Sequence, residues 1–284
     1  MAKQPNEDGE RPSAATTPWQ LRMYRKSLKK RQKVELITDM IGPLARQWCL
    51  LVTGGDNNGA INHQLRALGG RWAWAEMERD GIGAMEAFLE ESVHAAGPEA
   101  LPFPDALFER VVVIDVHEHV ADVGPLNAEI SRVLAPGGLA VVTTPNGNER
   151  LPVARLKRWV GMNPRDYGHV VQGYTTTQLA EMMEASGLDV VGRGAYSRFF
   201  TELAELAINF AYVKLLARRK SQPEVKEGTI APSSEEQLRG VEKTYRAYAA
   251  VYPVVRAFSA LDALVPGSGG YAVAVAARKR GLTP

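Results

Sequence analysis

The chain has 284 residues, of which 45% are apolar and 23% charged, and its formal net charge is +2. That apolar content can bury the core of one large domain and excludes a fibrous or broadly disordered protein, while near-neutrality removes any general demand for a nucleic-acid partner. The single cysteine, Cys49, has no partner for an internal disulfide and sits in an apolar run, so it reads as a buried thiol in a reducing, cytoplasmic compartment.

Residues 1–18 are polar, lack the apolar centre of a secretory signal and read as a disordered leader. Residues 19–41 have helical composition, with Leu21, Tyr24, Leu28, Val34, Ile37 and Ile41 on one apolar stripe. Arg22, Arg25, Lys26, Lys29, Lys30, Arg31 and Lys33 make the other face basic. Such a face is ordinarily just solvated, and its sharper reading is peripheral contact with an anionic membrane surface.

Residues 49–53 form the first strand, the turn TGGDNNG follows, and residues 60–68 form a helix closed by Gly69 and Gly70 as caps. A glycine-rich turn between strand and helix lets backbone N–H groups approach a ligand where the helix begins. Residues 71–75 make the second strand, which ends in Glu76, about twenty residues beyond the turn. That is the spacing at which an acid reaches a ribose hydroxyl in such folds. Residues 83–89 are helical, and LPFPD at 101–105 is a loop, because its two prolines exclude regular structure. The β-branched run at 111–114 is expected of a central parallel strand buried on both faces.

Leu126, Ile130, Val133 and Leu134 recur at helical spacing, Pro136-Gly137-Gly138 ends that helix, and residues 139–143 return as a strand. Residues 175–186 form a helix with Thr175 as N-cap and Gly187 as C-cap, and strand character resumes at 188–191. Two helical stretches, 201–220 and 235–264, precede a final strand at 271–276. Their apolar stripes, Leu203, Leu206, Phe210, Val213 and Ala217 in one and Leu238, Val241, Tyr245, Tyr248 and Tyr252 in the other, would pack together, cap the site or face a lipid or partner. The alternation predicts an α/β, Rossmann-like, doubly wound and mostly parallel sheet with a helical insertion before the last strand. Residues 19–200 plus 266–280 form the core, and 201–265 the insertion.

Several motifs in order carry a family resemblance: LPFPD with Phe108 shortly after, VVVIDVHEHV, RVLAPGG, and a strand ending TTPNG. Over about residues 50–191 the chain resembles a class I S-adenosylmethionine-dependent methyltransferase with a Methyltransf_11-like core. The family pattern VLEHV appears as VHEHV at 116–120. The resemblance implies S-adenosyl-L-methionine as cofactor, with Thr53, Gly55, Asp56, Asn57, Gly59, Glu76 and Asp115 around it. Thr53 stands where the family usually has an acid, Asn57 where it has its middle glycine, and Gly97 where many members have Asp beside the adenine.

Methyl transfer from a sulfonium needs mainly placement, plus a base when the acceptor is protonated. Asp115, at a strand's carboxyl end, and His169, in DYGHVVQGYT, are the catalytic candidates. His117 and Asn146 also lie near strand ends, His119 reads as packing or capping the following helix, and no metal is expected. The function implied is methyl transfer, at oxygen, to a small-molecule, glycan or lipid-linked acceptor. The alternative is a non-catalytic binding or scaffold protein on the same fold. A short-chain dehydrogenase is disfavoured, because Asn58 replaces a required glycine and no Tyr-x-x-x-Lys pair occurs.

Overall fold

A computed structural model describes residues 17–55, 58–160, 169–216, 235–264 and 269–281. Apolar runs such as Val111, Val112 and Val113 satisfy their burial only inside a sheet covered by helices on both faces, and all three are fully buried there. The strands are β1 (Leu44–Thr53), β2 (Gly69–Glu76), β3 (Val93–Ala95), β4 (Phe108–Ile114), β5 (Leu134–Pro145), β6 (Leu188–Tyr196) and β7 (Ala272–Lys279). They pair in the order β3-β2-β1-β4-β5-β7-β6. Neighbours from β3 through β5 are parallel, whereas β7 runs antiparallel to both β5 and β6.

The helices are α1 (Trp19–Arg25), α2 (Leu28–Ile41), α3 (Ala60–Arg66), α4 (Ile82–Leu89), α5 (Gly124–Val133), α6 (Pro152–Trp159), α7 (Thr176–Ala185), α8 (Phe199–Leu216) and α9 (Glu235–Ser259). Because strand side chains alternate between faces, β1 sends Leu50 and Val52 toward Leu126 and Ile130 of α5 and Leu179 and Met183 of α7. Cys49 and Leu51 of β1 go to the opposite face, with Val34, Ile37 and Ile41 of α2 and Leu65 of α3. Thr53 pairs in register with Glu76 and Ile114, and Ile114 with Thr143. The carboxyl ends of β2, β1 and β4 therefore finish level, β5 runs two residues further, and the segments after them meet.

Several local expectations change. Residues 19–41 form two helices, because the Ser27 hydroxyl accepts the backbone N–H of Lys30 and restarts the chain as α2. Gly69 and Gly70 open β2 instead of capping α3, whose C-cap is Ala67. α5 stops at Val133, before Pro136, and the Pro-Gly-Gly turn lies in the irregular start of β5, where its register with β4 shifts. Thr175 does cap α7, in a reciprocal capping box with Gln178. The three-residue β3 and the helix α6 are additions.

The basic face of the first helices is largely occupied by contacts within the chain. Lys33 is buried and paired with Asp115, Lys29 pairs with Glu202, and Arg31 donates to the Tyr252 hydroxyl at 3.2 Å. Tyr245 and Tyr248 of α9 donate to the carbonyls of Arg22 and Lys26. Leu203 and Leu206 of α8 pack around Val153 and Tyr271, whereas the Phe210 side chain is exposed. Val213, Ala217, Leu238 and Val241 lie outside the described side chains. Among the described residues, no helix is long and apolar enough to cross a membrane.

Candidate active site

The first half of the site is the turn from β1 into α3. Gly55 has φ +73° and Gly59, the N-cap of α3, has φ +83°. A Cβ at Gly55 would lie 2.8 Å from the Glu78 carboxyl carbon, and one at Gly59 the same distance from the Phe88 ring. The positive φ favours glycine at both positions, and at Gly59 the Phe88 ring also closes the space to a side chain. Asp56 and Asn57 lie outside the described residues.

Glu76 ends β2 directly beside this turn and is 1% exposed. Its carboxylate accepts from the Thr53 hydroxyl at 2.6 Å, from Gly55 N–H at 2.8 Å and from Glu78 N–H at 3.0 Å. Burial raises its pKa, and these three donors pull against that rise. The contact gives a physical account of the departure at position 53. An acid there would press a second carboxylate against a buried one, whereas threonine donates a hydrogen bond to it. Glu76 thus fixes the glycine turn from behind.

Beyond β3 the chain passes Gly97, where an added Cβ would meet nothing within 4 Å, and enters the LPFPD loop. That loop is held from α5: Arg132 donates to the carbonyls of Leu101 and Phe103, and Glu129 accepts Leu101 N–H. The Phe103 ring stands edge-on between those of His94 and Phe108.

The second half of the site follows β4. Asp115 has φ +51°, is paired with Lys33 of α2, and accepts from the Thr143 hydroxyl at 3.2 Å. A one-turn 3-10 helix, His117–His119, comes next. His117 is fully buried and lies 2.8 Å from the Asn127 side chain of α5, and burial lowers its pKa to about 4. The role of packing against the next helix, expected of His119, therefore belongs to His117. The His119 ring instead stands edge-on to His169, with centroids 5.0 Å apart.

Glu118, between them, is 1% exposed and accepts from the Thr144 hydroxyl at 3.1 Å. Burial, reinforced by the charge of Asp115, pushes its carboxyl up to about 8. Its carbonyl accepts the N–H groups of Val170 and Val171 at 2.9 and 3.1 Å, which ties the His169 segment to this turn. Burial, followed by the neighbouring His119, lowers His169 to about 4, so its imidazole is neutral near pH 7. Asn146 is structural, since it donates to Gly270 and accepts from Asn148.

The structure thus gathers Thr53, Gly55, Gly59 and Glu76 in one group and Asp115 and His169, with Glu118 and His119, in another. The two adjoin through the β1–β4 pairing. Sequence reasoning placed Lys33 on a solvated or membrane-facing basic face, whereas it is buried against Asp115, and it passed over Glu118. The signal for Glu118 was its place inside a motif otherwise read only as a family signature.

The methyltransferase-domain model Methyltransf_23 matches residues 46–192, just over half of the chain. The chain belongs to the class I S-adenosylmethionine-dependent methyltransferases. It is 31% identical over 136 residues to the dimethylglycine N-methyltransferase of Parasynechococcus marenigrum, a match covering 44% of this chain and 47% of that relative. It is 25% identical over 170 residues to the ubiquinone biosynthesis O-methyltransferase of Cereibacter sphaeroides, covering 56% of this chain and 68% of the relative.

Among solved structures, phosphoethanolamine N-methyltransferase 2 of Haemonchus contortus, in complex with S-adenosyl-L-methionine, has a TM-score of 0.53 at 16% identity. That likeness covers 87% of this chain and 52% of that one. The [4+2]-cyclase SpnF has a TM-score of 0.53 at 18% identity, covering 89% of this chain and 82% of that one. These likenesses establish the methyltransferase fold. S-adenosyl-L-methionine is the methyl donor of the family, and a glycine turn between β1 and α3 suits the close approach of such a group.

Proposed function

We propose that this methyltransferase moves a methyl group from S-adenosyl-L-methionine to an oxygen of a small-molecule, glycan or lipid-linked acceptor. The observation that carries the reading is the glycine turn held from behind by Glu76, level with an acceptor-side group after β4. Gly55 and Gly59 would hold the cofactor, with Asp56 and Asn57 in the same turn and Glu76 anchoring that turn from behind. When bound, the cofactor supplies an activated methyl on its sulfonium.

The chain's own task is then to seat the acceptor in line and manage its proton. Asp115, fixed by Lys33 and Thr143, orients the acceptor. His169, neutral near pH 7, accepts a proton from its hydroxyl. An oxygen acceptor suits this group, since a hydroxyl needs a base and a tertiary amine does not. The O-methyltransferases among the relatives support the same choice.

The experiment is calorimetric titration with S-adenosylhomocysteine of the wild-type chain and of Glu76→Ala. Binding by the wild type, weakened about tenfold or more in the variant as the glycine turn loses its anchor, is the expected result. No detectable wild-type binding would remove the reading. The SpnF likeness keeps a second reading in play, in which the fold serves something other than methyl transfer. Binding of S-adenosylhomocysteine without methylation of any fraction of a cell extract would favour it.

A further inference from the structure

We propose that Glu118, His119 and His169 form a divalent transition-metal site. Each presents one ligand atom, and the three atoms lie within 4.8 Å of one another at the carboxyl end of β4. Ligands 2.0–2.2 Å from a common ion stand about 3–4 Å apart. The donors therefore need to converge by only about an ångström, within reach of modest side-chain rotation.

The surroundings are built in the manner of a metal site. The Thr144 hydroxyl donates to the Glu118 carboxylate and orients it from the side, the kind of outer contact that fixes a ligand's direction. The two backbone bonds from Val170 and Val171 to the Glu118 carbonyl clamp the His169 segment against the turn that carries the other two donors. Residues fifty positions apart in sequence are thereby held as one set. Asp115, the next carboxylate along the turn, is paired with Lys33.

Two imidazoles and one carboxylate favour Zn²⁺, Co²⁺, Fe²⁺ or Mn²⁺ over the oxygen-seeking Mg²⁺. Three protein ligands also leave room for solvent or an oxygen of a second molecule. This further consequence rests on the methyl-transfer reading: a hydroxyl acceptor completing the coordination sphere would lose its proton more readily on the ion. The part otherwise played by His169 alone would then be played through the metal.

The test is titration of the metal-stripped full chain with Co²⁺, followed by the visible ligand-field absorption of the bound ion, with Zn²⁺ as competitor and Mg²⁺ as control. The expected result is one Co²⁺ per chain, displaced by Zn²⁺ and not by Mg²⁺. His119→Ala and His169→Ala should each weaken binding about tenfold or more, and His63→Ala, on α3, should leave it unchanged. If an alanine variant loses its far-ultraviolet circular dichroism, His169→Gln carries the comparison. No ligand-field band in the wild type, or equal affinity in the histidine variants, overturns the site. Because the readout is spectroscopic, Co²⁺ binding in a chain that fails to bind S-adenosylhomocysteine would keep this site and remove only the methyl-transfer reading.

Discussion

Thr53 shows how one residue can depart from its family and still follow from its neighbours. Glu76 is buried and its carboxylate lies 2.6 Å from the residue-53 side chain, so position 53 must donate. Thr53→Asp would set two carboxylates in contact, and one of them would have to stay protonated. We expect that variant to lose about 2–3 kcal/mol at pH 8, with a smaller deficit at pH 5, where protonation relieves the repulsion. Urea denaturation at the two pH values checks this, and a pH-independent deficit would contradict it.

Glu202 makes the opposite case. It is 2% exposed, yet Lys29, Lys157 and Ser197 surround it and hold its carboxyl down to about 2 against the cost of burial. A carboxyl depressed from about 4.3 in the unfolded chain contributes stability that is fully present above that value and is lost as pH falls through 2. Stability should therefore fall on the order of 3 kcal/mol between pH 5 and pH 2 from this group. Glu202→Gln should flatten that part of the profile while lowering stability at pH 7, because two ammonium groups lose their partner.

Among elements, the helices between β6 and β7 are held by a polar contact as well as by packing. The Asp262 carboxylate, in the short 3-10 turn after α9, accepts the N–H groups of Phe200 at 2.6 Å and Thr201 at 3.1 Å. These belong to the first turn of α8, whose leading N–H groups have no partner inside the helix. A carboxylate there also opposes the positive end of the helix dipole. Asp262→Ala should cost about 1–2 kcal/mol, read as a lower thermal midpoint. Hydrogen exchange should quicken first at 199–202, and protection that stays uniform would show that the cap contributes nothing.

At the scale of the molecule, legibility followed the range of the interactions involved. The strands from β1 to β5 that lie at the sheet's centre could be read because double-sided burial demands unbroken apolar runs, and the glycine turn because backbone angle and space are written into residue type. The three-residue β3 is too short to carry a period. The meeting of Glu118 and His119 with His169 depends on two backbone hydrogen bonds between distant segments, and Lys33 reaching Asp115 depends on how α2 rotates on the sheet. Neither is local information.

That dependence makes α2 part of the core, and a truncation series tests it. Removing residues 1–26 deletes α1, which contributes the partly buried Tyr24, so a folded chain with a lower melting temperature is expected. Removing residues 1–41 also strips Val34, Ile37 and Ile41 from the face carrying Cys49 and Leu51. Burial of those three side chains contributes roughly 5–9 kcal/mol at about 1.5–3 each. That is comparable with the whole stability of a domain, about 5–15 kcal/mol, and Asp115 loses Lys33 as well. The longer truncation should give insoluble protein or no cooperative thermal transition. A soluble, cooperatively melting product would show that α2 is an appendage and that the sheet holds its face without it.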